Sequence, residues 1–152
     1  MTMILNKVIT CLEKNEVKYE FDAENQCITT GFKGENIEDI LLLINAGEDE
    51  DYLRILAPHL LTNINEAHES LIFQALLHIS LQTNMVRWAY DPMGREICAT
   101  VELPLFDSTL TEKQFEFCLE ALVKIVDEIA IPRLKAILET GVFMTLETAY
   151  MN

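Results

Sequence analysis

The sequence predicts an α+β domain in which an antiparallel sheet packs on helices, with its elements in the order α-β-β-β-β-α-β-β-α. Three observations predict this class. Apolar residues recur at helical spacing in three separated segments, whereas in the shorter segments between them apolar and polar residues alternate. Turn-forming residues join neighbouring strands directly, so the strands cluster between helices instead of alternating with them. Half of the 152 residues are apolar, and we expect one domain over residues 1–152 with a sizeable core.

The first helix and the first two strands follow from a change of periodicity. Over residues 2–15, apolar side chains fall on one face of a helix. Residues 17–22 then alternate strictly between apolar and charged side chains, which is the period of a half-buried strand. A turn at residues 23–25 leads to a weaker second strand over residues 27–32, in which glycine limits the length.

The next two strands form a predicted hairpin, residues 37–46 and 52–60, joined by the acidic turn at residues 47–51. A helix over residues 37–44 is the alternative, because residues 36–39 resemble a helix-capping pattern. We favour the strand. The acidic turn lacks the alternating oxygen ligands of a calcium-binding loop, so a solvated hairpin tip is favoured over a metal site.

The second helix, which Asn63 or Asn65 can cap and which is predicted to run to about Thr83, carries two apolar stripes on nearly opposite faces. A surface helix of a monomer needs only one apolar face to reach its core. The second stripe consists of Phe73, Leu77 and Leu81, and it predicts a second dry partner, either another layer of the domain or another chain. Because a two-layer domain offers it no partner, we predict a homodimer contact with His78 at its polar edge. The core stripe comprises Leu71, Ile72, Ala75, Leu76 and Ile79.

Residues 85–91 and 95–103 form the clearest hairpin of the chain. In the turn between them, Pro92 fixes an early φ angle, and Gly94 is expected to accept a positive φ at its end.

Within the first strand of this hairpin, Trp88 is expected to face the core and Arg87 the opposite side. A ligand groove around the two residues is the alternative interpretation. Arginine and tryptophan are also common anchors of protein interfaces. We therefore count both as candidate partner-binding residues.

The last helix is predicted to begin after Thr111, which forms a capping-box pattern with Gln114. Pro132 lies inside the helical pattern and should kink it, because proline lacks the backbone donor and clashes with the preceding turn. Gly141 is the predicted end of the helix. The apolar stretch within residues 142–151 is expected to dock on its own domain, and the alternatives are that it covers a neighbour or moves to admit a partner.

The charge balance restricts the classes of partner. The chain carries 25 acidic and 11 basic residues, a formal net charge of −14. Such a field repels nucleic acid and anionic membranes, so we expect neither as a partner. It suits a solvated acidic surface or a basic protein partner.

Cysteine usage and the start of the chain both favour the cytoplasm. The four cysteines form no C-x-x-C pair, which is typical of reduced, mostly buried thiols. Residues 1–12 read as an amphipathic helix rather than as a secretory signal. The cysteines are Cys11, Cys27, Cys98 and Cys118.

The sequence contains no recognisable catalytic, cofactor or metal motif, and we expect no catalytic residue, cofactor or metal. His68 and His78 lie ten positions apart on one helix, and no cysteine or carboxylate in the sequence pattern completes a tetrahedral metal set with them. The segment Gly31–Gly34 is too short for a phosphate-binding loop and opens no helix.

Four segments carry a resemblance to a known family: residues 76–84 at the end of the second helix, residues 86–94, residues 101–105 and residues 111–115. With the order of elements, they make the chain resemble a bacterial YbjN-type domain and, more broadly, the class I chaperones of type III secretion. Such chaperones are small, acidic and dimeric and hold an unfolded client segment. YbjN-type proteins are often described as sensory or regulatory factors. The resemblance implies a binding role and no catalytic residues.

Together these observations predict a non-enzymatic, cytoplasmic protein-binding module, chaperone-like or regulatory, that forms a homodimer. Exposed strand edges would hold a peptide client by backbone hydrogen bonds. A regulatory domain that binds a small ligand under the long last helix is the first alternative. An enzyme of unrecognised type is the second.

Overall fold

The computed structural model describes residues 2–142, and within them the predicted order of elements is confirmed. The sheet has six antiparallel strands, and the last predicted helix is divided by a π-helical segment. The elements are α1 (Met3–Lys14), β1 (Tyr19–Asp22), β2 (Cys27–Phe32), β3 (Ile40–Ala46), β4 (Tyr52–Leu61), α2 (Glu66–Gln82), β5 (Arg87–Asp91), β6 (Glu96–Pro104), α3 (Glu112–Lys124), the π-helical segment (Ile125–Ala130) and α4 (Ile131–Thr140).

Short-range chemistry sets the helix ends. The side chains of Thr2 and Asn65 accept hydrogen bonds from backbone N–H groups in the first turns of α1 and α2. Thr111 and Gln114 form the predicted capping box at the start of α3. Gly141 ends α4 with a left-handed φ of 66°, a conformation that costs glycine little because it has no Cβ.

The strand order is β1-β2-β3-β4-β6-β5, so β1 and β5 are the two edges. The side chains of one sheet face are buried under the helices, as shown by the alternating burial of β3 and β4. The other face carries half-buried and exposed side chains, among them Leu41, Leu43 and Leu56, which belong to neither buried cluster. The helices therefore form a single layer on one side of the sheet.

The core consists of two clusters. The larger one packs α1 and α3 on the centre of the sheet, and Phe115 is its largest fully buried side chain. The smaller cluster packs α2 against α4, with Ile97 of β6 beneath them. Trp88 contacts both clusters. The buried residues of α3 thus belong to the first cluster, whereas Leu134 and Ile137 of α4 belong to the second.

Two details of the strands differ from the prediction. The third strand begins at Ile40 instead of residue 37, because the loop before it is held by Asp127. In the β5–β6 turn the positive φ of 51° falls on Arg95, so the expectation for Gly94 was wrong. The turn comprises residues 92–95, one residue more than the pattern suggested, and its left-handed residue follows the glycine.

The predicted kink at Pro132 takes the form of a π-helical segment just before it. The backbone N–H of Ile131 bonds to the carbonyl of Val126, five residues earlier. This wider turn lets the helix pass the proline, which has no N–H and whose ring would crowd the carbonyl four residues back. Pro132 then lies in the first turn of α4, where its missing donor costs nothing.

The predicted docking of the apolar stretch at the C-terminal end concerns residues 143–151, which lie outside the described residues. Over residues 2–142, no helix is both long and apolar enough to cross a membrane.

Candidate functional site

The second apolar stripe of α2 divides into two parts in the structure. Leu77 and Leu81 are 73 % and 81 % exposed, respectively. Phe73 instead packs edge-on against Tyr90 of β5, with ring centroids 4.8 Å apart. The expectation that the whole stripe lacks a partner within the domain was therefore wrong for Phe73, because β5 lies beside α2. Leu77 and Leu81 remain an exposed apolar pair one helical turn apart.

Polar contacts tie the same side of α2 to the β5–β6 hairpin. A carboxylate oxygen of Glu69 accepts hydrogen bonds from the Tyr90 hydroxyl at 2.7 Å and from the Arg95 guanidinium at 2.6 Å. The hydrogen bond from Tyr90 and the one from Arg95 both lower the pKa of Glu69. These contacts fix the angle at which α2 presents Leu77. His78 is half-buried on the opposite flank of the helix.

Arg87 and Trp88 lie on opposite faces of β5, as their alternation predicts. Arg87 is exposed and donates to Glu102 of the neighbouring strand at 3.0 Å. Trp88 is half-buried against the core, and no described residue accepts a hydrogen bond from its buried indole N–H. The two side chains therefore do not share one surface.

A groove between α1 and α3 is a surface that the sequence reading did not identify. It has a volume of about 450 Å³, and apolar side chains line most of it. Phe32, at the end of β2, also lines the groove, as do Asp127 and Glu128 of the π-helical segment. The apolar lining comprises Leu12, Val17, Phe32, Phe115, Leu119 and Val123.

Carboxylates dominate one rim of this groove. Glu116, Glu120 and Glu128 line it together with one cation, Lys124. These four residues recur every fourth position along α3 and the π-helical segment, so within the α-helical part they form one row on the helix surface. We call Glu116, Glu120 and Glu128 the acidic ridge.

Asp127, at the end of the groove, has a structural task of its own. Asp127 is 6 % exposed. Its carboxylate accepts hydrogen bonds from the backbone N–H groups of Glu35, Asn36 and Ile37 at 3.0, 2.8 and 3.2 Å. Burial raises the pKa of this carboxyl group, and the three hydrogen bonds outweigh burial, so the pKa lies below its ordinary value. Asp127 thus fastens the β2–β3 loop to the helix beside the groove.

Cys11 and Glu116, which line the groove, lie close to Glu112 of α3, and these three side chains are of metal-ligand type. The carboxylates already have partners, since Lys14 donates to Glu112 at 2.8 Å and Asn15 to Glu116 at 3.2 Å. Burial and the hydrogen bond to Glu116 raise the pKa of Cys11 to about 11. The thiol is therefore protonated at neutral pH, and the cluster joins α1 to α3.

The sequence did not predict the groove, because its two walls, α1 and α3, are about one hundred residues apart in the chain. The spacing of Glu112, Glu116, Glu120 and Glu128 is the signal that could have identified one wall. An acidic row with a single cation, Lys124, beside an apolar row differs from a merely solvated helix face, where charges of both signs alternate. The opposite wall on α1 carries no such signal.

The arrangement of α1, the six-stranded sheet, α2 between β4 and β5, and α3 and α4 after β6 defines a YbjN-type α+β fold. Among solved structures the chain is similar to the crystal structure of YbjN from E. coli, a proposed transcription regulator. The likeness has a TM-score of 0.64 at 10 % sequence identity and covers 89 % of this chain and 92 % of that one. No family model matches the sequence, and no curated protein matches it. At this identity the likeness establishes the fold.

Proposed function

We propose that this protein is a non-enzymatic cytoplasmic binding module, chaperone-like or regulatory, that holds an apolar segment of a protein partner in the groove between α1 and α3. The observation that carries the proposal is the groove itself, about 450 Å³ with an apolar floor open to the surface. The net charge of −14 disfavours nucleic acid and anionic membranes as the occupant of the groove.

The regulatory description of YbjN supports a binding role of this kind, since no enzymatic activity is attached to it. A partner segment would bury apolar side chains on the floor and leave its backbone near the rim. The exposed edges of β1 and β5 offer a further means of contact, because edge strands present unpaired backbone groups.

The groove is tested by comparing two variants in a pull-down from native cell extract with mass spectrometry. Val123→Asn places a polar group on the half-buried floor of the groove. Leu138→Asn is the matched control, because Leu138 is an exposed apolar residue of α4 outside the groove. We expect the partners captured by the wild type to be lost with Val123→Asn and kept with Leu138→Asn. Equal capture by both variants would refute the groove as the binding site.

We further propose that the protein is a homodimer in which α2 contacts the partner copy through Leu77 and Leu81. Two such pairs per dimer would bury four leucine side chains that are now 73 % or 81 % exposed. At about 1.5–3 kcal/mol for each fully buried leucine, the transfer free energy is about 5–9 kcal/mol. Association in turn costs several kcal/mol of translational and rotational freedom, so the dimer depends on these residues.

The test of the dimer is the molar mass in light scattering. The double variant Leu77→Glu, Leu81→Glu is expected to have half the mass of the wild type, with unchanged helical circular dichroism because both side chains are exposed. Arg87→Glu alters a candidate residue on the opposite sheet face and serves as the comparison. A monomeric wild type, or a double variant that stays dimeric, contradicts this part of the proposal.

A small-ligand regulatory domain is a second candidate function, and the same groove favours it. A volume of about 450 Å³ with a mostly apolar lining falls in the range of small-molecule sites. A metabolite that raises the melting temperature of the wild type but not of Val123→Asn would support this function, because selective binding to the folded state stabilises it.

A further inference from the structure

We propose that the occupant of the α1–α3 groove is a basic amphipathic α-helix of a partner protein; this inference rests on the function proposed above and names the chemistry of the partner. It is carried by the relation between the floor of the groove and the acidic ridge. Phe115, Leu119 and Val123 of the floor stand four residues apart. Phe115 and Leu119 are each followed in the sequence by a ridge glutamate and Val123 by Lys124, so floor and rim run side by side along α3.

The spacing along α3 sets the spacing required of the partner. Residues four apart on an α-helix are separated by about 6 Å along its axis. Glu116 and Glu120 therefore repeat at about 6 Å, and lysines or arginines four apart on a second, roughly parallel helix repeat at the same interval. The carboxylates and the cations would meet one for one.

The geometry favours a helix over an extended strand. On an amphipathic helix, the residues that flank the apolar stripe point sideways, toward the rim of the groove. On a strand, the residues that alternate with the apolar ones point away from the floor, into solvent. Only the helix presents apolar groups to the half-buried Val123 and cationic groups to the exposed Glu120 in one pose.

The charges that remain available around the groove are mostly negative. Glu120 and Glu128 are exposed, and Glu116 is half-buried with two neutral partners, Asn15 and the Cys11 thiol. Lys124 supplies one opposing charge. Asp127 is occupied by backbone N–H groups, as described above. The three ridge carboxylates and one ammonium leave an excess of two negative charges beside an apolar floor, which is complementary to a basic amphipathic surface.

The experiment uses three synthetic helical peptides with one shared apolar face and with lysine, glutamine or glutamate at the flanking positions. Binding to the full-length protein is measured by fluorescence anisotropy at low and high salt. We expect the lysine peptide to bind most tightly and the glutamate peptide most weakly, with the difference reduced at high salt. The double variant Glu116→Gln, Glu120→Gln should weaken the lysine peptide about threefold to tenfold and leave the glutamine peptide unchanged.

A matched control changes the same net charge elsewhere. Glu24→Gln, Glu139→Gln alters two exposed acids outside the groove and should leave all three peptides unaffected. If the three peptides bind equally and Val123→Asn weakens them all, the groove function stands and the basic helix is refuted. If none binds, the basic helix is refuted, and the groove function is decided by the pull-down of Val123→Asn and Leu138→Asn. If the ridge variant and the control weaken the lysine peptide alike, the effect is general net charge and the inference is also refuted.

Discussion

Replacing Asp127 by Asn removes the charge that holds the β2–β3 loop on the π-helical segment. Three hydrogen bonds to an ionised acceptor are worth about 1.5–3 kcal/mol each. Glu35 and Asn36 are exposed, so their freed N–H groups regain hydrogen bonds from water. Asparagine also keeps one acceptor oxygen. Because water and the remaining acceptor oxygen each recover part of this loss, we expect the free energy of unfolding at pH 7 to fall by about 2–4 kcal/mol.

The assay is urea unfolding followed by far-UV circular dichroism between pH 7 and pH 3. Glu128→Gln is the control, since it changes the same charge at the next, exposed position. Because the pKa of Asp127 is lower in the folded protein, its contribution is complete above the unfolded-state value of about 3.9 and is lost as the pH falls through the folded-state value. The difference between wild type and Asp127→Asn should therefore be constant from pH 7 to about 5 and shrink in stronger acid. A loss at pH 7 within about 0.5 kcal/mol of the control would refute the reasoning.

Two other predictions follow from neighbouring contacts. In Gly34→Ala, the new Cβ would lie against the Asp127 carboxylate and 2.8 Å from the Ile37 carbonyl oxygen. Urea unfolding should therefore show that the free energy of unfolding falls by about 2–3 kcal/mol, and this loss should not be additive with that of Asp127→Asn. Full additivity would contradict a shared contact. The Cys11 thiol, whose pKa burial and Glu116 raise to about 11, should react with a disulfide reagent at pH 7.5 far more slowly than the same thiol in unfolded chain. Equal rates in the two states would show that this thiol is accessible and ionised.

The features that the sequence predicts well are those determined within a few residues. The capping box of Thr111 and the end at Gly141 depend on side chains and backbone of a single turn, and the structure confirms both. The strands likewise follow from local signals, which are alternation in β1 and β6 and turn residues between β3 and β4. The position of a positive φ in the β5–β6 turn did not, because Arg95 takes it in response to how the strands pair.

The candidate sites depend on which elements become neighbours, and a periodic pattern does not encode this. The stripe of α2 shows the difference: Phe73 is covered because β5 pairs with β6 and lies beside α2, whereas Leu77 and Leu81 stay exposed. The groove needs α1 to lie against α3, and the contact of Cys11 with Glu116 joins residues 105 positions apart. The dimer contact and the partner of the groove stay predictions for the experiments above.

The π-helical segment also sets the rotation of α4 relative to α3 about the helix axis. In an unbroken α-helix, the buried residues of α4, such as Leu134, would lie roughly 100° around the axis from those of α3, such as Phe115 and Leu122. One surplus residue in a widened turn cancels that rotation, and so both halves direct their apolar side chains to the same side. Without the wider turn, Pro132 would stand inside an unbroken α-helix, and Leu134 would turn away from α2.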